Sequence, residues 1–519
     1  MKLFLRLVLA VALTPWWSAG QMQQREWFLL DPQRDGVYGA AVTRAYDELL
    51  KGKTGQPVIV AVLDGGTDVR HEDLRNVLWR NTGEMEGNGQ DDEGNGYVDD
   101  VHGWNFIGGK NGTVQYDQME LTRLYKQMLD QYGQQGPPPS SPQYAQFQRL
   151  RTAFEEKVAE NEKEYTLYSG LYRNMNRLQE LTGMDDPPIN ELVNADTLPD
   201  SLLATVFLLS GILDEETSFL TLYEALGDYV KHLRTGRDYH YNLNYDPRSI
   251  VGDNYTNASE RYYGNADVAG PDATHGTHVA GIIGADRTNQ TGTMGVADNV
   301  RIMVLRCVPD GDERDKDVAN SIRYAVDHGA RIINMSFGKG YSFNKNVVDE
   351  AVRYAMEKDV LIVHGAGNDN LNTDKTAVYP NPFFASGGRA TNFVNVGAST
   401  PDGQAADFSN YGKKTVDLFA PGVAIYSTVP DNQYRNLQGT SMASPVVAGV
   451  AALIRSHYPE LKAEQVRKIL MQSVTRVKGK TLLPGGEKAV RWKKICTSGG
   501  IVNAYQALQR AERVSQKGR

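Results

Sequence analysis

The sequence predicts an α/β protein that contains a mostly parallel sheet with helices on both faces and an inserted all-α segment. Apolar runs at 58–63 and 360–363 are continuous rather than alternating, which is typical of strands that are buried on both faces. Helical stretches are predicted at 317–328 and 346–358, and strands that alternate with helices build parallel sheets. The zone from about 110 to 240 instead has helical periodicity and a lower share of glycine than the segments around it, so it is predicted to be all-α.

The first twenty residues have the pattern of a signal peptide. Lys2 and Arg6 form a basic start, 7–13 is a short apolar run, and Ser18-Ala19-Gly20 offers the small residues of a cleavage site. The apolar run is too short to span a bilayer, and no second run of membrane-spanning length follows it. We therefore expect a signal peptide over 1–20, a secreted mature chain, extracellular or periplasmic, and no stable membrane insertion after cleavage.

Three further segments are predicted. Residues 21–109 and 242–519 would together form the α/β domain, and 110–241 would form the helical insertion within it. Apolar residues of the insertion recur at three- and four-residue steps, which is typical of a packing face: Phe147, Leu150, Phe154, Val158, Tyr165, Tyr168, Tyr172, Met175 and Leu178. The sequence leaves three roles open for the insertion, namely a lid over a site, a docking module for a partner, or a stabilising element.

The composition argues against several classes of partner. A net charge of −8 and a pI near 5.7 give no electrostatic reason to expect nucleic acid or an anionic membrane. The nine histidines show no zinc-site spacing. Cys307 and Cys496 are too few for a disulfide framework. Because Cys307 adjoins the apolar run 302–305, a buried free thiol is as consistent with the sequence as a disulfide.

Two candidate catalytic residues lie where a parallel sheet places its functional groups. Asp64 follows the apolar run 58–63, so its carboxylate is expected at the carboxyl end of a buried strand. His275 opens the string His-Gly-Thr-His-Val-Ala-Gly, whose small residues let a helix begin close to the sheet. Taken alone, Asp64 would be an ordinary turn residue. His278 is predicted to pack in the core, and no third ligand supports a metal site at the histidine pair.

A hydroxyl and an amide complete the set of candidate residues. Ser441 lies in Gly-Thr-Ser-Met-Ala-Ser-Pro (439–445), directly before an apolar, alanine-rich helix. A helix N-terminus presents free N–H groups and favours a developing oxyanion. Asn368 follows Gly365-Ala366-Gly367 after the run 360–363, where its amide could donate to the same oxyanion. Ser444 and Thr440 are competing hydroxyls, and both are interpreted as structural.

These strings, taken together and in this order, resemble the subtilase family of serine peptidases. The catalytic order Asp, His, Ser is that of subtilisin. Further family landmarks are Asn-Met-Ser-Phe-Gly (334–338), Gly-Ala-Gly-Asn (365–368), Phe-Ser-Asn-Tyr-Gly (408–412) and Ala-Pro-Gly (420–422). The resemblance covers the chain outside its leader and its helical zone. It implies a subtilisin-like, mostly parallel seven-stranded sheet with helices on both faces.

The resemblance also implies a role for each residue. Ser441 would be the nucleophile, His275 the general base and then acid, and Asp64 the group that orients His275. Asn368 and the Ser441 N–H would form the oxyanion hole. The implied reaction is hydrolysis of peptide bonds in protein or peptide substrates through an acyl-enzyme. The chemistry requires no cofactor.

The substrate-binding residues are likewise implied by the resemblance. Ser336, Phe337 and Gly338 would pair with the substrate backbone and form a wall of the specificity pocket, and Gly365, Ala366 and Gly367 would let the substrate backbone approach. In many subtilases a smaller aliphatic residue stands where Phe337 does, and Val378 would crowd the pocket floor. We therefore expect a small or medium apolar residue on the acyl side of the cleaved bond.

Two acidic segments stand apart from the catalytic strings. In the first, 91–100, oxygen-bearing side chains alternate and a glycine stands sixth, as in the front half of a calcium loop. The predicted ligands are Asp91, Glu93, Asn95, Tyr97 and Asp99, and the resemblance adds that subtilases often carry structural calcium. The second segment, 310–317, is expected to be a solvated charged loop, with selection of basic substrate residues as the alternative.

The function predicted from these observations is that of a secreted serine endopeptidase. The alternative from a different class is a non-catalytic subtilase scaffold whose helical insertion binds a protein partner. The four intact residues Asp64, His275, Asn368 and Ser441 favour the enzyme. Natural substrates and oligomeric state stay open.

Overall fold

The structure is a computed structural model that describes residues 25–192, 198–213 and 218–518. The predicted signal peptide lies outside these residues. The chain divides into two compact units. One comprises Leu121–Tyr245, and the other comprises Gln23–Glu120 together with Asp246–Arg519. Among the described residues, no helix combines the length and apolar character needed to cross a membrane.

The larger unit is built on one seven-stranded sheet in which every neighbouring pair is parallel. Its strands are β1 (Val58–Asp64), β2 (Gly103–Asn105), β3 (Val300–Arg306), β4 (Ile332–Met335), β5 (Leu361–Gly365), β6 (Phe393–Ser399) and β7 (Leu418–Pro421). The strand order is β2-β3-β1-β4-β5-β6-β7, so chain order reverses across β1. The predicted α/β fold with a subtilisin-like parallel sheet is confirmed.

Beyond this sheet, the larger unit contains three small antiparallel pairs. Strands β8 (Ile425–Val429) and β9 (Gln433–Leu437) form a hairpin. The others are Gly108–Gly109 with Gly112–Thr113 and Thr481–Leu482 with Ala489–Val490.

Residues of β1 face both sides of the sheet in alternation. Val58, Val60 and Val62 join one apolar cluster, and Ala61 and Leu63 join another. This two-residue period is the geometry of a strand, and apolar residues in both phases require cover on both faces. The continuous apolar run that suggested this strand therefore has a direct structural cause.

Helices cover both faces of the sheet. The described helices of both units are α1 (Val42–Ala45), α2 (Glu120–Tyr132), α3 (Tyr144–Thr182), α4 (Ile189–Leu192), α5 (Asp200–Ser210), α6 (Phe219–Thr235), α7 (Arg248–Val251), α8 (Thr274–Gly284), α9 (Asp315–Asp327), α10 (Lys345–Glu357), α11 (Thr440–His457), α12 (Ala463–Gln472) and α13 (Ala504–Gly518). Short 3₁₀ turns occur at Trp27–Leu29 and Trp492–Lys494, and π turns at Tyr46–Leu50 and Gly236–His240. Helices α8, α11, α12 and α13 pack on one face, and α9 and α10 pack on the other.

The smaller unit is helical and has apolar clusters of its own. One cluster joins α3, α5 and α6 through residues such as Tyr168, Met175, Val206 and Leu226. A second joins α2 to the first part of α3 through Tyr125 and other residues. The predicted limits of the insertion, 110 and 241, stay predictions.

The acidic segment 310–317 differs from the expectation of a solvated loop. Asp312, Glu313, Asp315 and Asp317 are all buried. Asp317 accepts two hydrogen bonds from the Arg248 guanidinium, and a lysine binds Asp315. Buried carboxylates of this kind need cationic or hydrogen-bonding partners because desolvation alone would be prohibitive. The expectation was wrong because the neutralising cations lie far away in the sequence.

Both cysteines are free and buried. Burial raises the pKa of Cys496 to about 11 and raises that of Cys307 further. A thiol that stays protonated and is shielded from solvent is a poor nucleophile. Each therefore acts as a small core residue.

Candidate active site

Predicted catalytic and substrate-binding residues lie at the carboxyl edge of the sheet. Asp64 is the last residue of β1, Ser336 directly follows β4, and Gly365 is the last residue of β5. These strands are neighbours in the order β1-β4-β5. In open α/β sheets, ligands bind at this edge, where the strand order reverses. The sheet thus brings together residues that are hundreds of positions apart.

Asp64 and His275 form a hydrogen-bonded pair. The Nδ1 atom of His275, in the first turn of α8, lies 2.8 Å from Asp64 Oδ1. The same oxygen accepts the Gly65 N–H at 2.8 Å. Because a carboxylate can only accept, the ring must donate from Nδ1, which leaves the lone pair of Nε2 available as a base. The hydrogen bond to Asp64 therefore determines the tautomer of the neutral His275 ring, with its proton on Nδ1.

Two opposing effects act on the pKa of His275. Burial lowers it, whereas the charge and hydrogen bond of Asp64 raise it, and the net result is a pKa above the ordinary 6.5. The His275 side chain keeps 44% of its exposure while that of Asp64 keeps 5%. The ring is therefore open to a substrate, and the carboxylate that orients it is shielded from water.

Ser441 lies at the N-terminus of the buried helix α11. Its Oγ donates to the main-chain oxygen of Ser336 at 3.0 Å, and no hydrogen bond joins it to His275 in this part of the structure. A change of the serine χ1 angle redirects the hydroxyl without moving the backbone. In unliganded enzymes the nucleophile–base bond is often long and tightens only when substrate binds. The structure thus joins Asp64 to His275 by a hydrogen bond, but the Ser441 hydroxyl is bonded to Ser336 instead of to His275.

The amide of Asn368 has a defined orientation. Its Oδ1 accepts the Thr440 N–H at 2.9 Å and the Thr440 hydroxyl at 3.0 Å. Two donors on Oδ1 leave Nδ2 as the end of the amide that faces away from Thr440. Thr440, interpreted as structural from the sequence, therefore fixes the amide directly. Its position immediately before Ser441 was the available sequence signal.

Gly439 shows that two donors face the same small volume. A Cβ atom built on this glycine would lie 3.4 Å from Asn368 Nδ2 and 3.6 Å from the Ser441 nitrogen. Its φ of +149° also lies where residues with side chains are rarely found. Both nitrogens therefore lie within 4 Å of one point beside Ser441, and an oxyanion hole needs at least two such donors close to one position.

The residues predicted to bind substrate form two adjoining segments. Ser336 is buried, and its hydroxyl donates to the Ser441 carbonyl at 2.9 Å. Phe337 is half-buried and Gly338 is exposed. The Val378 side chain packs against Gly338, since Val378 Cγ1 would lie 3.3 Å from a Cβ built there. The contact places Val378 next to this segment.

The second predicted substrate-binding segment, 365–367, begins at the last residue of β5. Gly365 and Ala366 are buried, and Gly367 is half-buried. Their roles in substrate binding, like those of the triad residues and Asn368, stay predictions. Gly365 lies close to the helix end that bears Ser441, since a Cβ built on it would lie 3.1 Å from the Thr440 carbonyl oxygen.

A cavity of about 470 Å³ adjoins His275 and Ser336. Its lining includes Asp272, Asp310 and Arg306. Arg306, the last residue of β3, donates to the Gly65 carbonyl at 2.7 Å and so fixes the turn that follows Asp64. Burial lowers the pKa of Arg306 to about 10. The sequence analysis missed Arg306 because an arginine that ends an apolar strand carries no motif.

The segment that holds the five predicted calcium ligands is stabilised by hydrogen bonds between its own side chains and backbone. Asp91 accepts the N–H groups of Asn95 and Gly96. Asp99 accepts those of Gly87, Asn88 and Gly89. The Tyr97 ring packs in the core, and Asn95 Oδ1 accepts the Tyr97 N–H, which turns its Nδ2 toward Glu93. No step of the chemistry is assigned to calcium, and calcium binding by these residues stays a prediction.

Within the described residues, one group of carboxylates and imidazole lies close enough to suggest a metal, and it comprises Glu93, Asp100 and His328. Asn81 Nδ2 donates to both Glu93 and Asp100 at 2.6 Å. The Tyr324 hydroxyl also donates to Asp100. The group is thus held by amide and hydroxyl donors. His278 is not part of it, and burial lowers the pKa of His278 to about 3.

Comparisons with known proteins agree with this architecture. The model of the subtilase family matches residues 55–488. The thermophilic serine proteinase of Bacillus sp. (strain AK1) is 39% identical over 207 residues, which are 40% of this chain and 48% of that protein. Subtilisin DY of Bacillus licheniformis is 39% identical over 207 residues, which are 39% of this chain and 71% of that protein.

Thermitase of Thermoactinomyces vulgaris is 34% identical over 267 residues, which are 50% of this chain and 85% of that protein. The match therefore spans about half the length of the first relative and most of the third. The resemblance inferred from the motifs is confirmed. The chain belongs to the subtilase family, a family of serine-type endopeptidases.

Proposed function

We propose that this protein is an exported serine endopeptidase that cleaves peptide bonds through an acyl-enzyme on Ser441. The observation that carries the proposal is the Asp64–His275 pair, at 2.8 Å, on the same sheet edge as Ser441. Family membership supports protein or peptide substrates. No observation favours the non-catalytic scaffold over the enzyme.

In the proposed first half-reaction, Ser441 Oγ attacks the carbonyl carbon of the scissile bond. Its proton passes to Nε2 of His275, and Asp64 stabilises the resulting imidazolium. Asn368 Nδ2 and the Ser441 N–H donate to the oxyanion of the tetrahedral intermediate. Collapse of the intermediate breaks the C–N bond, and His275 returns its proton to the leaving amine. The product is an ester between Ser441 and the acyl half of the substrate.

The second half-reaction repeats these steps with water. His275 removes a proton from water, which attacks the ester carbonyl, and the same donors hold the oxyanion. Collapse releases the new carboxylic acid and restores the Ser441 hydroxyl with the proton from His275. The two halves need the same residues, so loss of any one impairs both.

We also propose export, which rests on the basic, apolar and small-residue pattern of 1–20. Expressed with its natural N-terminus in a bacterial host that secretes proteins, the protein should be recovered outside the cytoplasm and should begin close to Gln21. Recovery in the cytoplasm with Met1 retained would contradict the proposal.

The role of Ser441 is tested with a fluorophosphonate probe, which labels an activated serine. We expect stoichiometric labelling of the wild type and none of Ser441→Ala, because the proposed mechanism assigns the activated hydroxyl to Ser441. Ser444→Ala is the matched control, since Ser444 is a buried hydroxyl on the same helix that pairs with Ser336. It should still be labelled. A wild-type protein that folds but is not labelled would support the non-catalytic scaffold.

The pH dependence of kcat/KM tests the Asp64–His275 pair. A general base must be unprotonated, so activity is lost as the pH falls through the pKa of His275. Because that pKa is raised, the midpoint of the acidic limb should lie above pH 6.5. Asp64→Asn removes the negative charge that raises the pKa of His275, whereas burial still lowers that pKa. The midpoint should therefore fall, and kcat should drop by about 10⁴-fold.

Asp272→Asn serves as the control for this profile. Asp272 also raises the pKa of His275, but less than Asp64 does, and it makes no hydrogen bond to the ring. We expect a small downward shift of the midpoint with kcat preserved. Equal effects of the two variants would contradict a specific role for Asp64.

Val378 should limit the size of the residue on the acyl side of the cleaved bond. A library of peptide substrates should show a preference for small or medium apolar residues in the wild type. Val378→Gly should raise kcat/KM for phenylalanine at this position by about tenfold or more, the usual effect of a few methyl groups in a pocket. Activity on the alanine substrate, which does not reach Val378, is the internal control. A wild-type profile dominated by bulky or charged residues would contradict the prediction.

A further inference from the structure

Asn410 lies beneath the backbone segment that carries Asn368. It belongs to the string Phe-Ser-Asn-Tyr-Gly (408–412), to which the catalytic scheme assigns no role, and it is fully buried. Its Nδ2 donates to the Ala366 carbonyl at 3.0 Å. Its Oδ1 accepts the N–H groups of Asp369 at 3.1 Å and Leu371 at 2.8 Å. A single amide therefore holds the backbone both before and after Asn368.

The backbone of Asn410 adds a further bond to this segment. The Asn410 N–H donates to the Gly367 carbonyl at 2.8 Å. Gly367 has a φ of +100°, and a Cβ built on it would lie 2.3 Å from Asn410 Nδ2. The glycine therefore serves two needs, an unusual backbone angle and close approach of the Asn410 side chain. The two residues are fitted to each other.

The geometry points to Asn410 as the positioning residue for the oxyanion donor Asn368. This inference rests on the proposed function, because it assigns to Asn410 an effect on a donor that acts only in the transition state. Asn410 touches neither the nucleophile nor the volume beside Gly439. Thr440 sets the direction of the Asn368 amide, and Asn410 sets the place of the backbone from which that amide extends.

The chemistry of the bonds explains why an asparagine is needed. The site requires a donor, toward the Ala366 carbonyl and the Asp369 carboxylate, and an acceptor for the N–H groups of Asp369 and Leu371. A carboxylate lacks the donor, and it would also add charge beside the Asp369 carboxylate, which lies 3.4 Å from Asn410 Nδ2. An apolar residue would leave the backbone groups of Ala366 and Asp369 without this partner, which is costly in a buried place.

A double-mutant cycle tests the inference. Asn368→Ala should lower kcat by about a hundred- to a thousandfold with little change in KM, the usual effect of losing one oxyanion donor. Asn410→Ala should lower kcat by about ten- to a hundredfold, again with little change in KM, because a small misplacement of a catalytic group has effects of this size. In the Asn368→Ala background, Asn410→Ala should change kcat by less than about twofold, since no amide is left to position.

Asn392→Ala is the matched control. Asn392 is also a buried asparagine, and its Nδ2 donates to the Val360 carbonyl at 2.7 Å, near the amino end of β5. Asn392→Ala removes a buried amide that is remote from Asn368, so it reports only the effect on folding. The kcat per folded molecule should stay within about twofold of the wild type. Should Asn410→Ala not fold, Asn410→Ser, which keeps one polar group, replaces it in the cycle and should lower kcat in the same direction.

The outcomes separate the inference from the proposed function. If Asn368→Ala leaves kcat unchanged, the proposed oxyanion hole fails and the inference fails with it. If Asn368→Ala lowers kcat but Asn410→Ala has no effect, or lowers it by the same factor in both backgrounds, the inference alone is overturned. A drop in kcat that disappears in the Asn368→Ala background supports it.

Discussion

The structure depends on one packing constraint, the contact between helix α11 and strands β1 and β4 to β7 of the parallel sheet. From Met442 to Ser456 every residue of this helix is buried, and alanine and glycine make up much of its length. At Gly449 an added Cβ would lie 2.5 Å from the Val296 side chain, so the helix approaches its neighbours too closely for larger residues. Because the helix cannot slide, its N-terminus stays at one place on the sheet edge, and Ser441 stays with it.

Polar groups at this helix end turn the packing into a defined site. Ser336 joins β4 to α11 through the Ser441 carbonyl and the Ser444 hydroxyl. Thr440 joins α11 to the segment after β5 through the Asn368 amide. Each bond is worth only about 1 kcal/mol, yet a buried group left without its partner costs more. These hydrogen bonds thus select one arrangement of the helix end more than they stabilise the fold. A preorganised oxyanion hole would require such a fixed arrangement.

The sequence predicted those parts of the site that are encoded locally. Asp64, His275, Asn368 and Ser441 each stand in a short string whose glycines, alanines or apolar runs determine a strand end or a helix start. The partners that hold them could not be predicted in the same way. Asn410 and Arg306 act on segments distant in the chain, and nothing in the composition of their own segments states which carbonyl each will meet. The direction of the Ser441 hydroxyl could not be predicted from the sequence either, because a serine side chain can adopt any of three staggered rotamers.

The prediction of a solvated loop at 310–317 was wrong for the same reason. The contacts that this segment makes explain how the fold tolerates a long insertion. Arg314, within this segment, donates to Asp117 at 2.9 Å and to Asp246 at 3.2 Å. These two residues stand just before and just after Leu121–Tyr245 in the chain, and both belong to the larger unit. One guanidinium therefore ties the point where the chain leaves that unit to the point where it returns.

With its ends tied, the insertion adds little to the entropy of closing the loop between Asp64 and His275, since that cost grows only logarithmically with length. The smaller unit buries its own apolar clusters and needs no strand of the sheet for its core. Arg314 and the two carboxylates that it binds thus fix both ends of the insertion within the larger unit.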